Sequence, residues 1–322
     1  MLRRAVQSNA FTLLCLLALA AASAGFAAAA DDDDDGPAAP GPGGRTYPIK
    51  LTRPFKAGQR YHWSADATLV DSARGTKSGQ IRHLLPETVS VNLEATVDVL
   101  AVNADGEIVR MACTIEQCTA RYGKDRKVVL RPGRVVTVEA GKWRPMFIPD
   151  AGSFTIEDDI LLRSVLTLPR IDDTTDDDVF GTPRPQNVGD SWPINPDQMM
   201  KSWAAAGYKL KKQNISGKMQ LKSAETIDGV ECVRVSGRAK IEHFLPPAMD
   251  IPDDVKVSDA TTEIKFTKLV PVDAGRQALM DSYSMTVHTL IKSGDDAAVV
   301  SDAKIEGKLL TSVGVKLKLI SG

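Results

Sequence analysis

The chain has 322 residues, of which 43% are hydrophobic, so it is long and apolar enough for one large domain or two smaller ones. Its formal net charge is −1. Taken over the whole chain, that balance gives no argument for binding nucleic acid or an anionic membrane surface. We therefore expect no nucleic-acid partner.

The first thirty residues have the pattern of a secretory signal peptide. Two arginines precede the apolar run FTLLCLLALAAA, which is followed by small residues with Ala-x-Ala spacing. This run is shorter than the about 20 residues that span a bilayer. We predict that residues 1–30 are removed by cleavage after Ala24 or Ala30, and that Cys15 carries no lipid. The mature protein is then a bacterial periplasmic or extracellular protein without a transmembrane segment.

Residues 31–46 are predicted to form a disordered leader. Five consecutive aspartates, Asp31–Asp35, are followed by GPAAPGPGG, which contains no large apolar side chain to bury. A calcium loop needs carboxylates at spaced positions around a glycine, and a contiguous run does not supply them.

A first β-rich unit is predicted over residues 47–180. In VSVNLEATVDVLAV, the odd positions of 89–101 are apolar and the even positions are mostly polar. Such alternation predicts a strand about 43 Å long, which suits a strongly curved sheet. NADGE at 103–107 predicts a hairpin, and IVRMACTIE, KVVL, RVVTVEA and WRPMFI predict the strands that follow.

A second β-rich unit is predicted over residues 181–322. It contains a hairpin signal at Asp228 and Gly229, then four strand candidates, TTEIKFTKLV, QALMDSYSMTVHTLI, AVVSDAKIEGKLL and VGVKLKLI. The turns have antiparallel spacing and no helix–strand rhythm accompanies them. The predicted fold class is therefore mainly β, with curved antiparallel sheets of half-barrel type and two short helices.

The first helix is predicted over about 155–168. Thr155 is a candidate N-cap with Asp158 three residues later, and Pro169 stops the pattern.

The second helix is predicted over about 196–206. Asn195 is its candidate N-cap, Pro196 its first residue and Gly207 its exit. Core packing against the sheet or the lining of a ligand cavity are the alternatives for its large apolar residues, Met199, Met200 and Trp203.

Between the helices, the stretch PRIDDTTDDDVFGTPRPQNVGDSW is predicted to be a solvated linker between the two units. Its aspartates lack the glycine that a calcium loop needs. The spacing of Gly58 and Tyr61 recurs at Gly189 and Trp192, and DGEIVRM resembles DGVECVRV. These matches fit either a duplicated β unit or chance resemblance among hairpins.

Three cysteines follow the leader: Cys113, Cys118 and Cys232. An odd number permits at most one intramolecular disulfide and leaves one thiol. Extended chain would separate Cys113 from Cys118 by about 16 Å, so a bridge between them needs a bulge or turn. The sequence leaves the pairing open.

No catalytic, cofactor-binding or metal-binding residue is predicted. The four histidines are scattered, and no nucleophile elbow, zinc-protease motif or phosphate loop is present. Ser301 and Lys304 have the spacing of a serine–lysine nucleophile but lie in a strand-like pattern. Glu242 and His243 are neighbours on a predicted strand and would point to opposite faces. Ligand-binding residues and oligomeric state are left open.

Over residues 47–322, the pattern resembles the lipoprotein-carrier half-barrel class of bacterial envelope proteins, in which long curved strands are covered by one or two helices. It also resembles secreted β-rich bacterial families of unknown function, in which G-x-x-Y/W opens a strand and VGDSW follows an acidic linker. Neither resemblance assigns a functional residue. One departure is length, because a carrier has one such unit and this chain is long enough for two.

Three functions follow from these patterns. The first is a structural or interaction protein of the envelope with a filled core. The second is a carrier or binding module for a lipid or another apolar ligand, which needs a cavity. The third is a secreted hydrolase whose site is assembled from distant residues. A lipid or an envelope protein is the expected partner.

Overall fold

The computed structural model describes residues 44–77, 80–83, 87–142, 144–170, 174–245, 255–277, 280–293 and 304–321. The predicted signal peptide, the aspartate run and Ser301 lie outside these residues.

One antiparallel sheet organises the described chain. Its strands run in the order β7-β6-β4-β3-β1-β13-β12-β11-β10-β9-β8, with β2 paired to β1 and β5 paired to β4. The predicted mainly β antiparallel fold is confirmed. The strands are β1 Arg60–Lys77, β2 Gln80–His83, β3 Glu87–Val102, β4 Ile108–Tyr122, β5 Asp125–Leu130, β6 Val135–Glu139, β7 Met146–Pro149, β8 Ser191–Pro193, β9 Ile215–Ile227, β10 Val230–Phe244, β11 Val255–Pro271, β12 Met280–Ser293 and β13 Lys304–Ser321.

The first long strand pairs with the last. Strand β1 lies between β3 and β13, and its pairing with β13 runs from Tyr61 opposite Leu319 to Thr76 opposite Lys304. The sheet therefore passes without a break between segments assigned to different units. The division of the chain near residue 180 stays a prediction.

The two strands predicted at the C-terminus are one strand, so that prediction is wrong. Thr311 and Ser312 separate the two sequence patterns, but Ser312 pairs with Thr68 on β1 and with Ser284 on β12. Because both neighbouring ladders continue through these two residues, no turn opens there.

Strand β3 shows the predicted alternation. Its odd positions from Val89 to Val99 are buried, and its even positions face outward, including the apolar Leu100. In β4 the pattern changes phase, because Glu94 pairs with Gln117 while Ala95 pairs with Ile115. Glu116 is therefore the extra residue of a β-bulge.

The first helix, α1, spans Ile156–Arg163. The predicted capping box is present, since the Thr155 side chain accepts from the Asp158 N–H and the Asp158 carboxylate accepts from Thr155. The predicted end near residue 168 is wrong by five residues. The chain after Ser164 buries Val165, Leu166 and Leu168 in nearly continuous sequence. An amphipathic helix buries only one stripe, so an irregular segment suits this pattern better.

The second helix, α2, spans Asp176–Phe180 and lies within the predicted linker, which is therefore not simply solvated. Thr175 forms a capping box with Asp178, and Val179 and Phe180 are buried. The described residues thus contain one more α-helix than the two predicted. The sequence did not predict this helix, because five residues are too few to show the helical periodicity of apolar residues.

The third helix, α3, spans Pro196–Ala205 and confirms the prediction. The Asn195 side chain accepts from the backbone N–H groups of Asp197 and Gln198. A short 3-10 helix, Lys212–Asn214, leads from it toward β9.

The predicted Asp228–Gly229 hairpin is present. Both residues have positive φ, 49° and 76°, and they join Ile227 to Val230 in a two-residue turn. A turn with both central residues in the left-handed region matches the twist of the flanking strands.

Candidate functional site

The core face of the sheet is the surface on which an apolar ligand would have to bind. Where the structure describes its side chains, this face packs against the helices and the chain between them, and one hydrophobic cluster joins residues from both predicted units. Trp63 of β1 donates its indole N–H to the Val165 carbonyl at 3.2 Å. The Trp192 indole donates to the Phe180 carbonyl at 2.8 Å. Two tryptophan side chains of the sheet thus hydrogen-bond to the helical region that packs on its core face.

An aromatic cluster lies beneath α3. Trp203 is 1% exposed, and its ring centroid lies 4.7 Å from that of Tyr208 and 5.4 Å from that of Phe244. Met199 is fully buried, and Met200 packs at the margin of the core. These contacts match the core-packing alternative for the large residues of α3.

A second ring contact joins α2 to the sheet. The ring centroids of Phe180 and Phe266 are 4.5 Å apart. Opposite Phe266 on β10 is Gly237, where an added Cβ would lie 2.5 Å from Phe266 Cε1 and closer still to Met219 Sδ. The absence of a side chain at Gly237 is therefore what lets Phe266 and Met219 approach.

Residues 45–56, which we name the N-terminal strap, run across one end of the sheet. The Asp177 carboxylate of α2 accepts from the N–H groups of Leu51 at 2.8 Å and Thr52 at 3.2 Å. The Lys50 ammonium lies 2.6 Å from the same carboxylate. Asp177, one of the aspartates predicted to be solvated, therefore holds the strap.

The strap also contains a buried arginine, Arg53. Arg53 is 5% exposed and donates to the carbonyls of Pro271 at 2.6 Å and Asp273 at 2.8 Å. Burial lowers the pKa of its guanidinium, and the carboxylates of Asp177 and Asp273 oppose that shift. Lys268, also buried, pairs with Asp176. These contacts tie chain segments together and contain no nucleophile.

A polar cluster lies on the outer face of β1, β3 and β4. His62 Nε2 is 2.9 Å from Glu94 Oε2, and His62 Nδ1 is 3.8 Å from Glu116 Oε1. The hydroxyl of Ser64 donates to Glu94 at 2.7 Å, and that of Thr96 donates to Glu116 at 2.7 Å. A catalytic serine would need to donate to the histidine. This cluster is therefore a cross-strand polar network without that arrangement.

Sequence reasoning missed this network because its members are far apart along the chain. The only signal that could have found them is the cross-strand register, which pairs Ser64 with Glu94 and His62 with Thr96. The bulge at Glu116 then brings a second carboxylate to His62.

The three cysteines are free and buried. The bulge places Cys113 and Cys118 on the same core face of β4. Burial raises the pKa of each of these two thiols to about 12. Burial also raises the pKa of Cys232. Because the thiolate is the reactive form, this environment suits packing better than nucleophilic chemistry.

The neighbours Glu242 and His243 lie at a β-bulge of β10. His243 has a φ of 52° in a β-bulge between Ile241 and Phe244, and Glu242 pairs with Lys240 at 2.5 Å. Within the described ranges, no group of three or more His, Cys, Asp or Glu residues could hold a metal ion. Nor does that part of the chain contain a helix with the length and apolar character to cross a membrane.

No family model and no curated protein matches the chain. Among solved structures, lipovitellin has 8% identity and a TM-score of 0.33, over 82% of this chain and 25% of lipovitellin, so this chain spans a quarter of that protein's length. An outer membrane channel from Pseudomonas putida F1 has 8% identity and a TM-score of 0.20, over 83% of this chain and 98% of the channel. A DUF1329 family protein from Desulfovibrio piger has 10% identity and a TM-score of 0.11, over 80% and 86%. At such scores the function has to be argued from the residues of this chain.

Proposed function

We propose that this protein is an exported, non-enzymatic β-rich protein with a structural or interaction role in the bacterial envelope. The observation that carries the proposal is the filled core face. Trp203, Phe180 and Leu162 are each at most 2% exposed and belong to the same cluster as the buried face of β1 and β3. Over β3, β4, β9, β10 and the described parts of β1 and β11, the protein's own side chains thus cover the surface that an apolar ligand would have to reach.

The chemistry of the polar groups supports a non-enzymatic role. Ser64 donates to a carboxylate, the thiols of Cys113 and Cys118 have raised pKa values, and the cluster around His62 lies on an open sheet face. Catalytic groups work best where water is excluded and charge is preorganised. An open sheet face supplies neither condition.

A carrier of apolar ligands is the second candidate, and one observation favours it. The indole N–H of Trp203 is buried and has no hydrogen-bond partner among the described residues. A buried donor without a partner costs about 1–3 kcal/mol, so a ligand oxygen beside Trp203 would stabilise the protein.

Native mass spectrometry of protein purified from the envelope fraction tests the proposal. We expect the mass of the processed polypeptide alone, and no saturable binding of the apolar probe N-phenyl-1-naphthylamine. A lipid-sized adduct on the wild-type protein would favour the carrier instead. Recovery of the chain from the cytosol with Met1 intact would defeat export.

A matched variant shows that the assay can detect a cavity. Trp203→Ala removes the indole from the aromatic cluster, and engineered apolar cavities of this kind stay dry and bind apolar molecules. We expect Trp203→Ala to gain probe binding that the wild-type protein lacks. Equal saturable binding by both proteins would mean that the wild-type core already has room for a ligand.

A further inference from the structure

The sequence segment 121–134 concentrates positive charge. It contains six basic residues and one acidic residue, although the whole chain is almost neutral. We name residues 119–131, which form the β4–β5 hairpin and the turn after it, the basic hairpin. Two of the six basic side chains are neutralised, because Lys127 pairs with Glu157 and Asp158, and Arg134 pairs with Asp150.

The other four basic side chains are exposed: Arg121, Lys124, Arg126 and Arg131. No carboxylate of the described residues forms a salt bridge with any of them, and Asp125 in the hairpin is the one acidic residue of the segment. Arg121 and Arg126 are direct cross-strand partners. Like charges opposite each other destabilise a sheet, so this pair weakens the free protein and would be relieved by an anion.

Apolar groups lie at the same place. Ile156 and Val128 are 78% and 57% exposed, the two highest values among the exposed large hydrophobic residues of the described chain. Val128 lies opposite Thr119 in the hairpin. Ile156 precedes Glu157, whose carboxylate accepts from Tyr122 at 2.5 Å and Lys127 at 2.9 Å. Val128 therefore lies on the same face of the hairpin as Arg121 and Arg126, whereas Ile156 lies beside the opposite face.

The acidic leader is a poor occupant for this surface. The strap is held near the opposite end of β4, because the Phe55 N–H donates to the Gly106 carbonyl at the β3–β4 hairpin. The fifteen residues of β4 separate the two ends by about 46 Å. The leader departs from Arg45, which pairs with Glu231 beside the β9–β10 hairpin, and the ten Cα–Cα steps from Asp35 to Arg45 span at most about 35 Å when fully extended.

We propose that the basic hairpin docks onto an anionic phospholipid surface, with Arg121, Lys124 and Arg126 at the headgroup phosphates and Val128 in the interface. Phosphate charge complements the basic cluster, and the exposed Val128 on the same face favours a bilayer interface over a purely polar anion. This docking specifies the interaction role in the envelope that we propose above. It rests on that proposed function, because the protein meets an envelope membrane only if it is exported. A lipid-sized adduct in the core would overturn the filled-core function and leave the docking result untouched.

Co-sedimentation of the chain, purified as cells produce it, with vesicles tests the proposal. We expect binding to phosphatidylglycerol–phosphatidylcholine vesicles and little binding to pure phosphatidylcholine. Each basic residue near an anionic surface contributes about fivefold to affinity, so the triple variant Arg121→Gln, Lys124→Gln, Arg126→Gln should bind roughly hundredfold more weakly. Its thermal unfolding should stay unchanged or rise slightly, since the Arg121–Arg126 repulsion is gone.

A control variant removes the same charge elsewhere. Lys201, Lys211 and Lys218 are exposed and lie outside the basic hairpin. Their joint change to Gln should alter binding less than about twofold at physiological salt, where the screening length is about 8 Å. An equal loss in both triple variants would show that net charge and not the hairpin binds, which overturns the proposal.

Two further arms separate a bilayer from other anions. Val128→Ser should lose about fivefold of the vesicle binding that remains in high salt, because that remainder depends on apolar burial, and Ile156→Ser beside the opposite face is its control. Duplex DNA should bind much more weakly than the anionic vesicles. Equal affinity for DNA, or no effect of Val128→Ser beyond that of Ile156→Ser, would assign the hairpin to polyanions in general and overturn the lipid proposal.

Discussion

The two faces of strand β3 follow different physical rules. The face that carries Val91, Leu93 and Val97 is at most 1% exposed, and each of these side chains packs against chain from elsewhere. The opposite face carries Glu94 and Thr96, which hydrogen-bond to side chains on β1 and β4. The stability of the core face depends on side-chain volume and on the absence of charge. The stability of the outer face depends on hydrogen bonds and ion pairs between side chains. Changes of similar chemistry should therefore have unequal effects on the two faces.

Val97→Asp should have the largest effect of the changes considered. It places an unpaired carboxylate among fully buried side chains, and we expect a loss of more than about 3 kcal/mol in the free energy of unfolding. Leu100→Asp is the matched control, since Leu100 is 44% exposed on the same strand and should change stability by less than about 0.5 kcal/mol. Urea denaturation measures both. Equal losses at the two positions would contradict the assignment of the faces.

Gly237→Ala tests whether side-chain volume limits the stability of the core face. The new Cβ would overlap Met219 Sδ and Phe266 Cε1, so we expect a loss of about 1–3 kcal/mol. Gly275→Ala serves as control, because its Cβ would approach only Asp273 Oδ1, at 3.3 Å. Thermal unfolding distinguishes them. A fully stable Gly237→Ala protein would mean that the contact between β10 and β11 is looser than described.

Alkaline pH should lower the free energy of unfolding, because the buried thiols of the core face resist ionisation. The folded-state pKa of Cys113 and Cys118 is about 12, above the usual value near 8.5, so the folded state holds these protons more tightly. The two protonated thiols make their full contribution to the free energy of unfolding below about pH 8.5. This contribution is lost as pH rises toward 12, by up to about 1.4 kcal/mol per pH unit for each thiol.

The comparison for this prediction is the double variant Cys113→Ala, Cys118→Ala. Its stability should fall less steeply between pH 8.5 and 10 than that of the wild-type protein. Parallel pH profiles would exclude the two thiols as the source. Native protein at pH 8 should also resist modification by a thiol reagent until it unfolds.

Glu94→Gln should have the smallest effect and tests the outer face. It keeps the shape of the side chain but removes the charge beside His62, and we expect a loss of about 0.5–1 kcal/mol. His62→Gln should cost a similar amount, and the double variant should cost less than the sum, because the two residues share one contact. Additive losses would show that the two side chains stabilise the sheet independently.

Local sequence signals predicted the elements well where pattern length was sufficient. The period-two pattern of β3 predicted its buried positions, and the capping residues Thr155 and Asn195 predicted two helix starts. Helix α2 was missed because Val179 and Phe180 are only two apolar residues after a run of aspartates. The division of the last strand at Thr311 and Ser312 was wrong, because two polar residues in sequence do not reveal whether both neighbouring ladders continue through them.

The sequence by itself determined which residues are apolar, where the chain turns and that the fold is mainly β. These properties depend on neighbours within a few positions. Only the tertiary structure decided that β1 pairs with β13, that Asp177 holds the strap and that His62 meets Glu94 and Glu116. It also shows which basic side chains of the hairpin have no acidic partner among the described residues, a distinction that an almost neutral net charge conceals. Such contacts join residues separated by tens to hundreds of positions, and strand register, which local patterns leave free, brings them together.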